Sequence, residues 1–199
     1  MPEGFISQYL NRKLSRPLAR LLVHTPLTPN FISFLSFITG ITAGLAFLKN
    51  QGIWGGILAQ ITSIMDGVDG DLARFKGMES PFGAFFDAVL DRYADAAIIM
   101  GMTWFVSKNT EPPGAWLVGL MALIGSFMVS YSWAKAEASL RPKDDLPFLR
   151  LASRDLRLFL IMIGSILNLG FWTLLLLAIL THFAVLIRIL YFAKLRKEQ

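Results

Sequence analysis

Four aspartates set inside long apolar segments constrain this chain more than any other feature. Asp66 and Asp69 stand three residues apart, and Asp87 and Asp91 stand four apart. On an α-helix both spacings put the members of a pair on one face, about 5–6 Å apart at Cβ. Two such helices facing each other gather four carboxylates in a low-dielectric interior. Buried charges of one sign are untenable there unless paired, because each is costly to desolvate or neutralises. Two divalent cations would cancel four charges, and carboxylate oxygens are the ligands that hard Mg²⁺, Mn²⁺ or Ca²⁺ prefer. Read instead as solvated helix-terminal caps, the aspartates need no metal. That reading suits Asp71 and, less well, Asp66. It does not account for Asp87, Asp91, Arg92 and Asp95 inside an apolar run, where ionisable residues are functional by default.

The residues around the pairs narrow the ligand. The string runs Asp66-x-x-Asp69-Gly70-x-x-Ala73-Arg74, then Gly83-x-x-x-Asp87-x-x-x-Asp91. Gly70 and Ala73 share a face with the first carboxylates and leave room for a ligand to approach the backbone, and Gly83 does the same on the second helix. Arg74 carries a planar fork suited to phosphate oxygens. Together these residues describe a site for a metal-bound diphosphate.

The string resembles the signature of the CDP-alcohol phosphotransferases, D-x-x-D-G-x-x-A-R followed by G-x-x-x-D-x-x-x-D. Every fixed position is present, and the gap of eight residues from Phe75 to Phe82 also fits. The resemblance implies a membrane enzyme that transfers a substituted phosphate from a CDP-alcohol to an acceptor hydroxyl and releases CMP. It implies that Asp66, Asp69, Asp87 and Asp91 hold two divalent cations, Mg²⁺ or else Mn²⁺. Asp66, Asp69, Gly70, Ala73, Arg74, Gly83 and Asp87 would then line the nucleotide site. Asp91 would be the catalytic base at the acceptor hydroxyl. Members of the family are usually homodimers, so the resemblance implies that state as well.

Composition agrees with a membrane setting. Of 199 residues, 54% are hydrophobic, and the mean hydropathy is +0.54, too apolar for an ordinary soluble domain. Cysteine is absent, which excludes disulfides and thiol chemistry. The net charge of +5 comes from basic residues flanking apolar segments, where anionic headgroups explain them better than nucleic acid does. The first apolar run starts only near Phe31, so no secretory signal peptide is read.

The expected fold is all-α and integral to the membrane, with six transmembrane helices behind an N-terminal interfacial helix. Residues 1–27 are expected to form that amphipathic helix and a linker. Leu10, Leu14, Leu18, Leu21 and Leu22 recur at helical steps among Arg12, Lys13, Arg16 and Arg20, with a kink expected at Pro17. Residues 28–199 are expected to form the six-helix domain, with spans of about 30–48, 52–76, 81–106, 115–138, a fifth capped by Ser153, and 171–192. Thr28-Pro29-Asn30 reads as the first helix start, and Asn168-Leu169-Gly170 as a turn. The short loop at 77–80 predicts antiparallel neighbours, so both carboxylate pairs should lie near one membrane surface. Only Lys49 and Lys108 fall on the opposite side, so the positive-inside rule puts both termini and the site at the cytoplasmic face.

Leu90-Asp91-Arg92-Tyr93-Ala94-Asp95 and Ser153-Arg154-Asp155-Leu156-Arg157 resemble the inositol-handling branch of the family. That branch implies CDP-inositol as donor and inositol phosphate as acceptor, giving di-myo-inositol phosphate phosphate. In bifunctional members a cytidylyltransferase domain precedes the membrane part. None is read here, so CDP-inositol is expected from a separate chain. Lys135, Arg154 and Arg157 are the candidates for the acceptor phosphate, with Arg154 and Arg157 three apart on one helix face. Arg141, Lys143 and Arg150 read rather as topology or headgroup charges. Asp95 continues the series from Asp91 and is expected as an outer group or a partner of Arg92.

Two other readings compete. A CDP-lipid donor would make the chain a phosphatidyl- or archaetidyl-inositol-phosphate synthase, or a synthase of another phospholipid. A cation transporter or channel would also need intramembrane aspartates, yet its site should lie near the midplane, often with interrupted helices.

Overall fold

The computed structural model describes residues 4, 6–109, 113–140 and 152–197, and every regular element among them is helical. A π-helical turn over Ser7–Asn11 leads into α1 (Arg12–Leu22). Then follow α2 (Pro29–Leu48), α3 (Gly52–Lys76), α4 (Pro81–Asn109), α5 (Ala115–Leu140), α6 (Arg154–Ile166) and α7 (Gly170–Lys197). The expected connection around Arg141, Lys143 and Arg150 lies outside the described residues.

Among the described residues, three helices are long and apolar enough to cross a membrane, over Pro29–Leu48, Ala115–Ser139 and Gly170–Lys194. Helices α3 and α4 are as long, but they carry the polar residues of the candidate site. Helix α6 has 13 residues, roughly 20 Å of helix, less than a full hydrocarbon core.

Helix α1 has two faces. Leu10, just before it, and Leu14, Leu18 and Leu21 form an exposed stripe, while Asn11, Ser15 and Ala19 are buried against the bundle. Small residues at steps of four bring α1 close to α3, and the leucine stripe is left for a bilayer surface. The helix runs through Pro17. Lys76 at the end of α3 donates to the carbonyls of Thr25 and Leu27 at 2.6 and 2.8 Å and so fixes the α1–α2 linker.

The helix ends follow from local chemistry. Thr28 caps α2 by accepting from the Phe31 N–H, with Pro29 in the first turn. Gly77, with φ 63°, closes α3, and the Met78 and Gly77 N–H groups donate to the Ala73 and Arg74 carbonyls. Asn50 and Asn168 take the same left-handed conformation at the ends of α2 and α6. Ser153 stands at the start of α6, but its side chain makes no capping bond there, contrary to expectation.

Helix α2 packs against both α3 and α4, whose direct contact with each other is slight. The short loop reverses the chain, yet α2 occupies most of the space between the two helices it joins. Small residues permit this. A Cβ on Gly44 would stand 2.5 Å from the Ala97 carbonyl oxygen, and one on Gly101 would stand 2.5 Å from that of Gly44. Below this crossing lies the main apolar core, with Phe47, Ile98, Met102, Ile161, Leu174 and Leu177 fully buried.

Candidate active site

The polar residues gather where α3 ends and α4 begins. Asp66, Asp69 and Asp87 each offer a carboxylate oxygen, and the three oxygens lie within 4.8 Å of one another. Asp69 is buried and accepts a 2.5 Å hydrogen bond from the Ser33 hydroxyl of α2. Asp91, one turn along α4 from Asp87, does not join that triad. It meets Arg154 of α6, whose Nη1 lies 3.0 Å from Asp91 Oδ1 and 3.1 Å from Asp66 Oδ1. Three of the four expected carboxylates therefore converge directly, and a guanidinium links the fourth to them.

Behind this group, Arg154 Nε donates to Asp95 Oδ1 at 2.9 Å, and Arg157 Nη2 lies 3.5 Å from Asp95 Oδ2. Of its two expected roles, Asp95 does not fill the pairing with Arg92 and takes its partners from α6. Arg92 instead lies 3.4 Å from Asp91. Three-residue spacing would let Arg92 reach Asp95, but two guanidiniums of the facing α6 already hold that carboxylate. Formally, five carboxylates face three guanidiniums here, which leaves two negative charges over. Oxygen-only donors and surplus negative charge fit a hard divalent cation.

The candidate nucleotide residues surround the triad. A Cβ on Gly70 would meet nothing nearer than Arg74 Nη2 at 4.0 Å, so this face of α3 is open. Gly83 donates its N–H to the Ser80 hydroxyl, and a Cβ there would stand 3.1 Å from Asn30 Oδ1. Ala73 is half-buried. Arg74 donates to Asp71 Oδ1 at 2.7 Å. Asp71 itself is 2% exposed and also binds Arg12 and Ser15 of α1. The capping explanation of Asp71 is therefore wrong, because α1 covers the turn that the sequence alone leaves at a helix end. Burial holds the Arg12 guanidinium below its ordinary value, and Asp71 acts in the opposite sense.

A cavity of about 800 Å³ opens beside Asp66, Asp87, Asp91 and Arg154. Its far wall includes Trp133 and Glu137 of α5. Of the acceptor candidates, Arg154 lines it, while Arg157 lies buried behind and Lys135 is exposed outside the lining. The N-terminal segment closes another side. Asn11 donates to the Ser63 hydroxyl at 2.9 Å and accepts from Gln60 at 2.8 Å. The Ser7 N–H donates to Asp155 Oδ2 at 2.6 Å. Sequence reasoning missed Ser33, Asn11 and Ser63, and quoted Asp155 in its segment without giving it a role. The signal for Asn11 was the Asn11–Ser15–Ala19 row of small and polar residues beside the leucines.

Fold and site together define a class: an all-helical protein with membrane-type helices and a buried cluster of carboxylates and guanidiniums opening to a cavity. More specifically, the chain belongs to the CDP-alcohol phosphatidyltransferase family, whose model matches residues 26–190. It is 34% identical to the bifunctional IPC transferase and DIPP synthase of Thermococcus kodakarensis, over 96% of this chain and 45% of that protein. The chain thus spans less than half the length of that relative. It is also 34% identical to the archaetidylinositol phosphate synthase of Pyrococcus horikoshii, over 94% of this chain and 95% of the other. The crystal structure of Mycobacterium tuberculosis phosphatidylinositol phosphate synthase with CDP-DAG bound superposes with a TM-score of 0.74. It covers 89% of this chain and 92% of the other at 24% identity, which establishes a shared fold.

Proposed function

We propose that this protein is a membrane CDP-alcohol phosphotransferase that moves a substituted phosphate to an acceptor hydroxyl with release of CMP. The observation that carries the proposal is the convergence of Asp66, Asp69 and Asp87, with Asp91 one turn deeper at the same cavity. Asp66, Asp69, Asp87 and Asp91 would hold two divalent cations, Mg²⁺ or Mn²⁺, which when bound neutralise charge on a diphosphate and on its leaving group. Gly70, Ala73 and Gly83 keep the nucleotide side open, and Arg74 offers its fork to the diphosphate. Asp91 accepts the proton of the attacking hydroxyl at a carboxylate oxygen. Arg154 orients Asp91 from α6 and presents positive charge to the cavity, where an acceptor phosphate would bind. Arg157 supports Arg154 through their shared Asp95, and Lys135 marks the outer approach.

The preferred substrates are CDP-inositol and inositol phosphate, which the bifunctional relatives support by name. A CDP-lipid donor is the second reading. Phe85 favours it, being large, exposed and beside Ala84 of the cavity lining, where lipid chains would leave for the bilayer. The equally similar archaetidylinositol phosphate synthase also supports it. In either case residues 28–199 form a six-span domain behind the interfacial segment 1–27, with termini and site at the cytoplasmic face and a homodimeric assembly. Purified protein given inositol phosphate and Mg²⁺ with either CDP-inositol or a CDP-dialkyl lipid tests the choice. A water-soluble phosphodiester supports the first reading, and a lipid product overturns it in favour of the second.

A further inference from the structure

Asp71 lies between the fixed positions Gly70 and Ala73 of the string, and nothing in the proposed chemistry uses it. Its side chain is nevertheless among the most completely occupied in the molecule. Oδ1 accepts from Arg12 Nη1 at 2.9 Å and from Arg74 Nη2 at 2.7 Å, and Oδ2 accepts from the Ser15 hydroxyl at 3.0 Å. Two of these donors belong to α1, and the third is the arginine of the string itself. Asp71 lies about 200° around α3 from Asp69, so it points away from the carboxylate triad and under α1.

The consequence falls on Arg74. Its side chain is 47% exposed, while that of Asp71 is 3% exposed. Unrestrained, an arginine this exposed samples many rotamers. Held at Nη2, it stays beside the open backbone of Gly70, 4.0 Å from where a Cβ would stand. Its other guanidinium nitrogens remain available to an anion on that side. Two guanidiniums share one carboxylate, so this cluster keeps net positive charge.

We infer that Asp71 is a positioning residue that fixes Arg74 for the diphosphate of a nucleoside-diphosphate donor and is itself held by Arg12 and Ser15 of the interfacial helix. The inference rests on the donor site proposed above. It makes α1 part of the donor-binding apparatus and not only a membrane anchor. Arg12 and Ser15 act at two removes, through Asp71 and then Arg74.

A double-mutant cycle on the full chain tests this, with CDP in the presence of Mg²⁺ as the probe and calorimetric affinity as the readout. Asp71→Asn should weaken CDP binding by about tenfold, the size seen when a residue orienting a ligand-binding group is lost. In an Arg74→Gln background the same change should have no further effect, because its route is gone. Asp71→Glu should recover part of the loss. Should Asp71→Asn fail to fold, Ser15→Ala removes one hydrogen bond and no charge. It should weaken CDP binding less, and only while Arg74 is present. Additive effects in the Arg74→Gln background, or unchanged CDP affinity in Asp71→Asn, overturn the inference. CMP release by the unmodified chain is measured beside this. Its absence with intact CDP binding counts against the proposed reaction and leaves the role of Asp71 standing.

Discussion

Asp95 and Arg154 meet in a 2.9 Å hydrogen bond between α4 and α6, with 2% and 8% of the two residues exposed. Because Arg154 Nη1 also touches Asp66 and Asp91, this contact ties a short helix to both carboxylate-bearing helices. Arg154→Met would leave Asp95 with Arg157 alone. Breaking one side of a buried pair costs about 3–5 kcal/mol, so thermal unfolding in detergent should shift sharply downward. Adding Asp95→Leu should not restore that stability, because it also strips buried Arg157 of its carboxylate. Arg154→Lys keeps the charge but not the fork, and should recover stability only in part.

Metal binding divides the aspartates. Mn²⁺ titrated into the protein and followed by electron paramagnetic resonance should show bound ion in the unmodified chain. Asp69→Asn and Asp87→Asn should lose it, because their oxygens belong to the convergent triad. Added Mg²⁺ or Mn²⁺ should raise the unfolding temperature of the unmodified chain, since it binds the folded state alone. A Mn²⁺ signal unchanged in Asp87→Asn would remove that residue from the site.

Asp91 should separate binding from chemistry. Asp91→Asn keeps size and one acceptor oxygen, so CDP binding should persist. Turnover should fall by about 10²- to 10⁴-fold, the range for loss of a general base. Normal turnover by this variant would remove Asp91 from the mechanism.

The crossing of α2 and α4 should tolerate little added bulk. Gly101→Ala puts a Cβ against the Gly44 carbonyl and forces the helices apart. Overpacking of this kind costs about 1–3 kcal/mol, read as a lowered unfolding temperature. Gly114→Ala serves as the comparison. Its φ of 76° strains an added side chain, but nothing lies within 4 Å of it, so α2 and α4 stay in place. Loss of Mn²⁺ affinity should therefore accompany the first change and not the second.

The aspartates were legible because their spacing alone fixes a helical face. The helix start at Pro29 was legible because proline suits a first turn, whereas the left-handed closure at Gly77 was read only as a short loop. The partner of Asp95 was not, because Arg154 comes from a helix 59 residues away and nothing in the local sequence aims it there. Asp71 was misread since its burial is supplied by α1, a segment whose leucines announce a membrane surface and whose Asn11, Ser15 and Ala19 are quiet. The expected adjacency of α3 and α4 missed α2 for a similar reason: Gly40, Gly44 and Gly101 permit an intrusion that loop length does not reveal. Six spans are read from apolar runs, and length and composition alone single out α2, α5 and α7 among the described residues, because site residues interrupt α3 and α4 and α6 is short.

The most direct measurement is CMP release by purified protein as donor, acceptor and divalent cation are each withheld in turn. A CDP-alcohol, inositol phosphate and Mg²⁺ together should give steady turnover, omission of any one should abolish it, and Asp91→Asn should cut it by about a hundredfold or more with all three present. CMP release that continues without an acceptor would point to hydrolysis. No release from either donor across a screen of acceptor alcohols would contradict the phosphotransferase account.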